Sequence, residues 1–374
     1  MKKQNKTQDS VSKQTTQVDK NLQRVMARRN FYTLRESAVV YLLAILLPLC
    51  VGFVFSYIAV LIATKTGTIL PDDPRPIQTL FDTSLGFALP YSLLIQVVFF
   101  CIFLAFHKIN RVKFSSCNLS FKKAKVSTSL WCLLFGVIFI FGFIWLIEGC
   151  FGKVFDALHL ILPSDKTISL PNNTVGWLFV NFLLVGIIPP ICEELLFRGI
   201  IFQGLRSKFS SMASIFLCAL MFALIHQDIT QFIYPFLLGS VLCFVMERTG
   251  NLLYPILIHA ANNCTSLLLS FFVETGKLDL SFGFLSANAG LVVVSWLCAI
   301  IIAGVAVLLF YLFDKFHLSK QEKNTQEPEG EAGDNTSGIT VGKMPLMIIV
   351  GMIFTAIMII LNAISTVGTV LSTV

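Results

Sequence analysis

The stretch GIIPPICEELLFRGIIFQGL at residues 186–205 decides how this chain folds. It lies in an apolar run over 175–205 that is too long for one straight membrane crossing. An ionised side chain inside a bilayer costs at least ~2.5–3.5 kcal/mol, so such residues are rare there and mark functional sites. The run therefore predicts a transmembrane helix that is interrupted at two prolines and built around buried charges. These residues are Pro189, Pro190, Glu193, Glu194 and Arg198.

The chain of 374 residues has the composition of a membrane protein. Hydrophobic residues make up 55% of it and charged residues only 13%, whereas soluble domains carry roughly 25% charged residues. This excludes a soluble globular protein and also a chain that is disordered over most of its length. Apolar runs near the ~20 residues that a crossing needs predict an all-α, polytopic transmembrane helical bundle. The predicted crossings are 38–63, 83–106, 128–147, 175–205, 211–226, 229–247, 251–273, 290–313 and 344–366.

Positive charge is concentrated in two places. Residues 1–38 hold nine Lys and Arg against three acidic residues, and loop 107–127 holds six basic residues and no acidic one. Basic residues beside a crossing resist translocation, which predicts a cytoplasmic N-terminus and a cytoplasmic loop. Loops 64–82 and 148–174 carry more acidic than basic residues and are expected outside. Membrane topology thus accounts for the net charge of +7, and no nucleic-acid partner is expected.

The chain is expected to consist of a central core with flanking segments. The stretch 314–343 is acidic on balance and poor in apolar residues, which is typical of a disordered linker. Residues 314–374 are a candidate contact region for a membrane-protein partner or, alternatively, only an anchor, and the lipid bilayer is the other expected partner. The regions are a basic cytoplasmic tail (1–37), N-terminal transmembrane helices (38–174), a central core (175–273), a closing helix region (274–313), a cytoplasmic linker (314–343) and a C-terminal transmembrane span (344–374).

Helical spacing relates the three charged residues of the core to each other. Glu194 and Arg198 are four residues apart, so they lie on one face of a helix and can pair. The pairing lowers the cost of burying both groups. Glu193 points roughly 100° away from that face. Its carboxylate is therefore expected to remain available for chemistry.

Two further helices carry polar side chains at the same spacing. Phe222 and His226 are four residues apart, and so are His259 and Asn263. Counted from the nearest cytoplasmic ends at ~1.5 Å per residue, Glu193 lies ~18 Å deep, His226 ~24 Å, and His259 to Asn263 ~12–18 Å. These depths predict one shared site near the middle of the bilayer.

A carboxylate, two imidazoles and an amide around a wet cavity suit hydrolysis of a peptide bond. The carboxylate and one histidine can deprotonate a water molecule, while the other histidine and the amide can donate hydrogen bonds to the oxyanion. Zinc is the alternative, with Glu193, His226 and His259 as three ligands and an open fourth position. No HExxH motif occurs, because Gln227 follows His226 and Ala260 follows His259.

These motifs, EExxxR, FxxxH and HxxxN in this order on consecutive apolar helices, resemble the signatures of a known family. It is the intramembrane CaaX-protease and bacteriocin-processing family, also called CPBP or Abi. The stretch ERTGNLLYPILIHAANN at 247–263 is also similar to that family, and the resemblance covers about 175–270. It implies a bundle of about eight helices around a cavity that is open to cytosol and lipid. The last span is then an addition to this fold.

The resemblance also implies roles for individual residues. Glu193 would be the general base with help from His226, and His259 and Asn263 would form the oxyanion site. Glu194 and Arg198 would be a supporting pair. We favour a glutamate-type peptidase without a cofactor over a zinc enzyme, because an asparagine suits an oxyanion donor better than a metal ligand.

The substrate class follows from the membrane setting. A membrane-anchored or hydrophobic peptide is expected, and a non-catalytic bacteriocin-immunity or scaffold protein on the same fold is the alternative. The excess of 19 Lys over 9 Arg suggests an AT-rich bacterial genome, so a bacterial cell membrane is the expected location.

Overall fold

The structure is a computed structural model that describes residues 32–73, 76–83, 85–145, 175–226 and 232–275, together with residues 293, 352 and 353. Helices dominate these residues, which confirms the predicted all-α fold of a membrane protein. The predicted linker 314–343, loop 148–174, crossing 290–313 and most of the tail and of the last span lie outside the described residues. The helices are α1 (Leu34–Lys65), α2 (Pro76–Thr83), α3 (Leu85–Ile109), α4 (Val126–Trp145), the composite α5 (Val175–Asn181 to Phe202–Arg206), α6 (Ser211–Leu224), α7 (Ile233–Thr249) and α8 (Leu253–Glu274).

The ends of the helices follow local sequence signals. Thr33 caps α1 in a capping box with Glu36, and Ser210 caps α6 by accepting a bond from the backbone N–H of Ala213. At the end of α7, Gly250 adopts the left-handed conformation (φ 58°) and donates its N–H to the carbonyl of Met246. Two short elements of the described residues were not predicted, α2 and a 3-10 turn at Phe114–Cys117, because they lie almost entirely in the stretches 64–82 and 107–127 that were expected to be loops.

Several of the described helices are long enough to cross a bilayer. In the described part of the chain, four helices have the length and apolar composition of a crossing: Leu34–Lys65, Leu89–Ile109, Leu178–Arg206 and Leu253–Val273. At the predicted crossings 211–226 and 229–247 the structure has shorter helices, so full crossings there stay a prediction. With 14 and 17 residues, α6 and α7 span only ~21 and ~26 Å.

Helix α5 is continuous but not a regular α-helix. It contains two π-helical segments, Phe182–Ile187 and Phe197–Ile201, in which the hydrogen bonds reach back five residues. The first π segment ends where Pro189 and Pro190 enter the helix, since neither proline can donate a backbone hydrogen bond. The predicted interruption at the prolines is therefore a change in helix type.

The helices pack closely around α5 and α8. A Cβ added at Gly136 in α4 would collide with the backbone carbonyl of Ile258 in α8, and one at Gly186 in α5 would lie 2.6 Å from the sulfur of Cys264. Small residues at such crossings allow helix backbones to approach, which is how helices associate in lipid. This packing brings the middle of α8, where His259 lies, against the middle of α5.

Candidate active site

The centre of the site is a buried ion pair on α5. Arg198 Nη1 donates to Glu194 Oε1 at 2.8 Å, and both side chains are completely buried. This confirms the pairing that the four-residue spacing predicts. The second arm of the guanidinium, Nη2, donates to the backbone carbonyl of Gly239 in α7 at 2.8 Å. The arginine side chain also lies over the ring of Phe222 in α6, 4.6 Å from its centre, so one cation links three helices.

The same carboxylate oxygen binds the histidine of α8. His259 Nδ1 lies 2.9 Å from Glu194 Oε1, and because an ionised carboxylate only accepts, Nδ1 carries the proton and donates. The other ring nitrogen, Nε2, then faces Glu193 Oε2 at 3.9 Å. Glu194 thus fixes both the orientation and the tautomer of His259.

Glu193 is in a different environment from its neighbour Glu194. Its side chain keeps 17% of its surface exposed, whereas that of Glu194 is completely buried. Successive residues of a helix point about 100° apart, which explains how adjacent carboxylates reach different environments. Of the two, Glu193 is therefore the carboxylate that water or a substrate can reach.

Asn263 is held one turn further along α8. Its Nδ2 donates to the backbone carbonyl of Val185 at 3.2 Å. That carbonyl would normally accept from the N–H of residue 189 in an α-helix or of residue 190 in a π-helix. Both are prolines and lack an N–H, so the amide of Asn263 satisfies an acceptor that α5 itself leaves without a backbone donor.

His226 lies on the other side of Phe222. Its Nδ1 is 2.9 Å from the backbone carbonyl of Phe222. The phenyl ring packs edge to face against both histidines, with ring centres 5.0 Å from His226 and 5.7 Å from His259. The structure therefore places the two imidazoles on one aromatic ring, with His259 close to Glu193 and His226 turned towards a cavity.

That cavity has a volume of about 500 Å³ and lies between α1, α3 and the end of α6. This volume is within the ~300–1,000 Å³ of small-molecule sites. Its walls are mainly apolar, with polar groups from Ser56, Tyr91 and His226. It is partly open, so an apolar group can enter it and approach His226.

The donor set for zinc is incomplete in this geometry. Glu193 and His259 present two donor atoms 3.9 Å apart, Oε2 and Nε2. Within the ranges that the structure describes, no group of three His, Cys, Asp or Glu side chains is arranged around a common point. His226 is therefore not brought to the other two as a third ligand, and no step of the mechanism below uses a metal.

Sequence reasoning did not find two of the contacts that define this site. The carbonyl of Gly239 holds the arginine, and the carbonyl of Val185 holds the asparagine. Backbone acceptors have no residue signature, although the two adjacent prolines before Glu193 signal that a carbonyl one turn earlier needs another donor.

The part of the chain that contains this site is similar to a known family. Residues 175–265 match the family model described as type II CAAX prenyl endopeptidase Rce1-like, and these residues contain the ion pair, both histidines and the asparagine. No solved structure matches the chain.

Three bacterial relatives match parts of the chain. An uncharacterised protein of Mycoplasma capricolum is 28% identical over 48% of this chain and 55% of its own length. The UPF0177 protein YxdF of Lactococcus lactis is 30% identical over 21% of the chain and 44% of its own length. The putative membrane peptidase YdiL of Bacillus subtilis is 28% identical over 22% and 33%. The chain spans about half the length of these relatives, or less.

Proposed function

We propose that this chain is an intramembrane endopeptidase, because residues 175–265 match the family model described as type II CAAX prenyl endopeptidase Rce1-like. Its substrate is a membrane-anchored or hydrophobic peptide or protein, and it acts in a bacterial cell membrane with its N-terminus in the cytoplasm. The observation that carries the proposal is the position of Glu193, whose carboxylate oxygen lies 3.9 Å from His259 Nε2 in a helix bundle.

Glu193 is the general base in this proposal. Its reachable carboxylate takes a proton from a water molecule, the resulting hydroxide attacks the peptide carbonyl, and the proton passes to the leaving amine. The charge of Glu194 is already committed to Arg198 and His259. The two adjacent glutamates thus have different roles: Glu193 transfers the proton, and Glu194 orients His259.

His259 stabilises the oxyanion only in a defined protonation state. Because Nδ1 donates to Glu194, Nε2 of a neutral ring has no proton to donate. Nε2 donates to an oxyanion when the ring carries both protons, and the ionised Glu194 stabilises that imidazolium. The second N–H of the Asn263 amide is the other oxyanion donor, since its amide nitrogen carries two protons and Val185 accepts one.

The cavity beside His226 supports a hydrophobic substrate. A peptide that is anchored in the membrane brings an apolar group to the scissile bond, and the apolar walls between α1 and α3 can bury it. The polar edge of the cavity at His226 then lies where the apolar part of the substrate ends. The assistance that we propose His226 gives to the base therefore passes through bound water or substrate at this edge, and the mechanism uses no metal.

The first experiment compares new peptide termini in membranes from cells that produce the wild-type chain or Glu193→Gln. The amide keeps the shape of the carboxylate and removes the base, so the rate of cleavage should fall by about 10²–10⁴-fold. Glu247→Gln is the matched control, because it makes the same chemical change in an ion pair outside the site. Termini that appear with the wild type and the control alone would identify the substrate.

The same experiment can overturn the proposal. If all three strains yield the same termini while each protein is folded in the membrane, the chain is a binding or immunity protein on this fold. A purified active enzyme that contains stoichiometric zinc and loses activity to a chelator would instead contradict the metal-free mechanism.

A further inference from the structure

The loop between α3 and α4 presents a dense array of positive charge. Between Lys108 and Lys125 it carries six basic residues and no acidic one, and all six side chains are exposed. The two acidic side chains that the described residues place on this face of the bundle are already engaged. Glu36 accepts from Thr33, and Glu247 accepts from Arg206. The basic residues are Lys108, Arg111, Lys113, Lys122, Lys123 and Lys125.

The loop is held in a fixed shape. Asn251, just before α8, accepts from the N–H of Ser120 at 3.2 Å and donates to the carbonyl of the same residue at 2.9 Å. The next residue, Leu252, donates its N–H to the carbonyl of Asn118 at 3.0 Å. The charges therefore sit on an ordered surface and not on a free tail.

Exposed apolar side chains flank the charges on this surface. Ile109 ends α3 with 76% of its surface exposed, and Phe121 in the middle of the loop is 72% exposed. Both lie next to the ends of apolar helices, where the lipid headgroups are expected and where an aromatic ring and long basic side chains are both favoured.

From these observations we propose that the loop from Lys108 to Lys125 is a binding surface for the anionic headgroups of phospholipids. Clusters of four to eight basic residues beside a transmembrane helix attract anionic lipid. A role in setting topology requires the charge, but it requires neither the hydrogen bonds of Asn251 nor an exposed Phe121. The ordered surface holds these charges together in one place, which favours a persistent contact with headgroups.

A native fluorophore lies close to this surface. Trp131 is five residues into α4, about 8 Å along the helix axis, and 45% of its surface is exposed. With the other three tryptophans (Trp145, Trp177 and Trp296) replaced by phenylalanine, its emission reports the lipids that surround the loop. The full chain is reconstituted in bilayers that contain a small fraction of brominated phosphatidylglycerol or brominated phosphatidylcholine, and quenching is measured.

We expect brominated phosphatidylglycerol to reach half-maximal quenching at about a fivefold lower fraction than brominated phosphatidylcholine, a ratio that one basic residue near an anionic surface can give. The triple variant K122Q/K123Q/K125Q should lose this preference, and K122R/K123R/K125R should keep it. The control K2Q/K3Q/K6Q removes the same net charge from the N-terminal tail and should keep it too. All variants are compared by circular dichroism.

Two results with the wild-type protein and the glutamine variants would overturn the proposal. One is equal quenching of the wild-type protein by the two brominated lipids. The other is an equal loss of preference in the loop variant and the tail control, which would show that net charge alone attracts the lipid. Because the arginine variant retains the charge at the same positions, its failure to bind would also contradict an electrostatic surface.

Discussion

The two sides of Phe222 differ in how their polar groups are held. On one side, Arg198, Glu194 and His259 form a chain of hydrogen bonds of 2.8–2.9 Å between buried side chains. On the other side, His226 is only partly buried and borders an apolar cavity of about 500 Å³. The closed side fixes geometry and the open side admits a substrate, and Glu193 is placed beside the closed side with part of its surface still reachable.

The largest effect should follow from breaking the closed side. In Arg198→Leu, the carboxylate of Glu194 stays buried without its cation. Removing one partner of a buried ion pair lowers the free energy of unfolding by about 3–5 kcal/mol. In His226→Ala, on the open side, the free energy of unfolding should change by less than half as much. Both are measured by denaturant unfolding of the purified protein in detergent micelles. Similar losses in the two variants would mean that the two sides do not differ.

The second prediction tests what Asn263 does for α5. Asn263→Ala leaves the carbonyl of Val185 without its donor, which should cost about 1–3 kcal/mol of stability. Pro189→Ala restores a backbone N–H that can reach this carbonyl, so the double variant should recover most of that loss. Thermal unfolding of the single and double variants gives the coupling between them.

Activity separates the two roles of this residue. If the amide also stabilises the oxyanion, the double variant should be stable and still nearly inactive. A double variant that is both stable and active would show that Asn263 only supports the helix.

The third prediction concerns the open side. Ser56→Leu places a bulky apolar side chain in the cavity, where Ser56 is one of the lining residues. The KM for the hydrophobic substrate should rise about tenfold with little change in kcat, because binding and not chemistry is blocked. Ser127→Leu, on an exposed position of α4, is the matched control. A lower kcat at constant KM would place the cavity outside the substrate path.

The smallest effect is expected for an ion pair at the end of the bundle. Arg206 Nε donates to Glu247 Oε2 at 2.8 Å, the same length as the pair of Arg198, but its side chains are 33% and 23% exposed. Water already solvates such groups, so Arg206→Gln should cost about 1 kcal/mol or less. If Arg206→Gln and Arg198→Leu lower the free energy of unfolding by the same amount in this assay, burial does not determine how much an ion pair contributes to stability.

The sequence predicted those features that depend on an apolar run or on the spacing of side chains along a helix. The crossings predicted at 38–63, 83–106 and 251–273 correspond to α1, α3 and α8, and the spacing of Glu194 and Arg198 predicted their contact. Apolar runs report burial and not helix length, so they did not predict that α6 and α7 have only 14 and 17 residues. Residues 64–82 were taken for a loop, because a helix of eight residues shows too few turns for its periodicity to stand out.

Contacts with the backbone could not be predicted in the same way. The depth estimates placed His226 and His259 in one site, but they carry no information about rotation, and the structure shows Phe222 in contact with both rings. The catalytic roles of Glu193, His226, His259 and Asn263 stay predictions until variants are measured. Helix periodicity gives a residue's face, whereas the partner on that face depends on how neighbouring helices pack.

The ion pair of α5 also bears on how the protein is made. Because Glu194 and Arg198 are one turn apart on a single helix, their charges can pair as soon as that helix forms. Synthesis proceeds from the N-terminus, so this happens before α7 and α8 exist. The carbonyl of Gly239 and the ring of His259 arrive with those later helices. Insertion therefore starts with a helix whose central charges already compensate each other, and assembly then completes the hydrogen bonds.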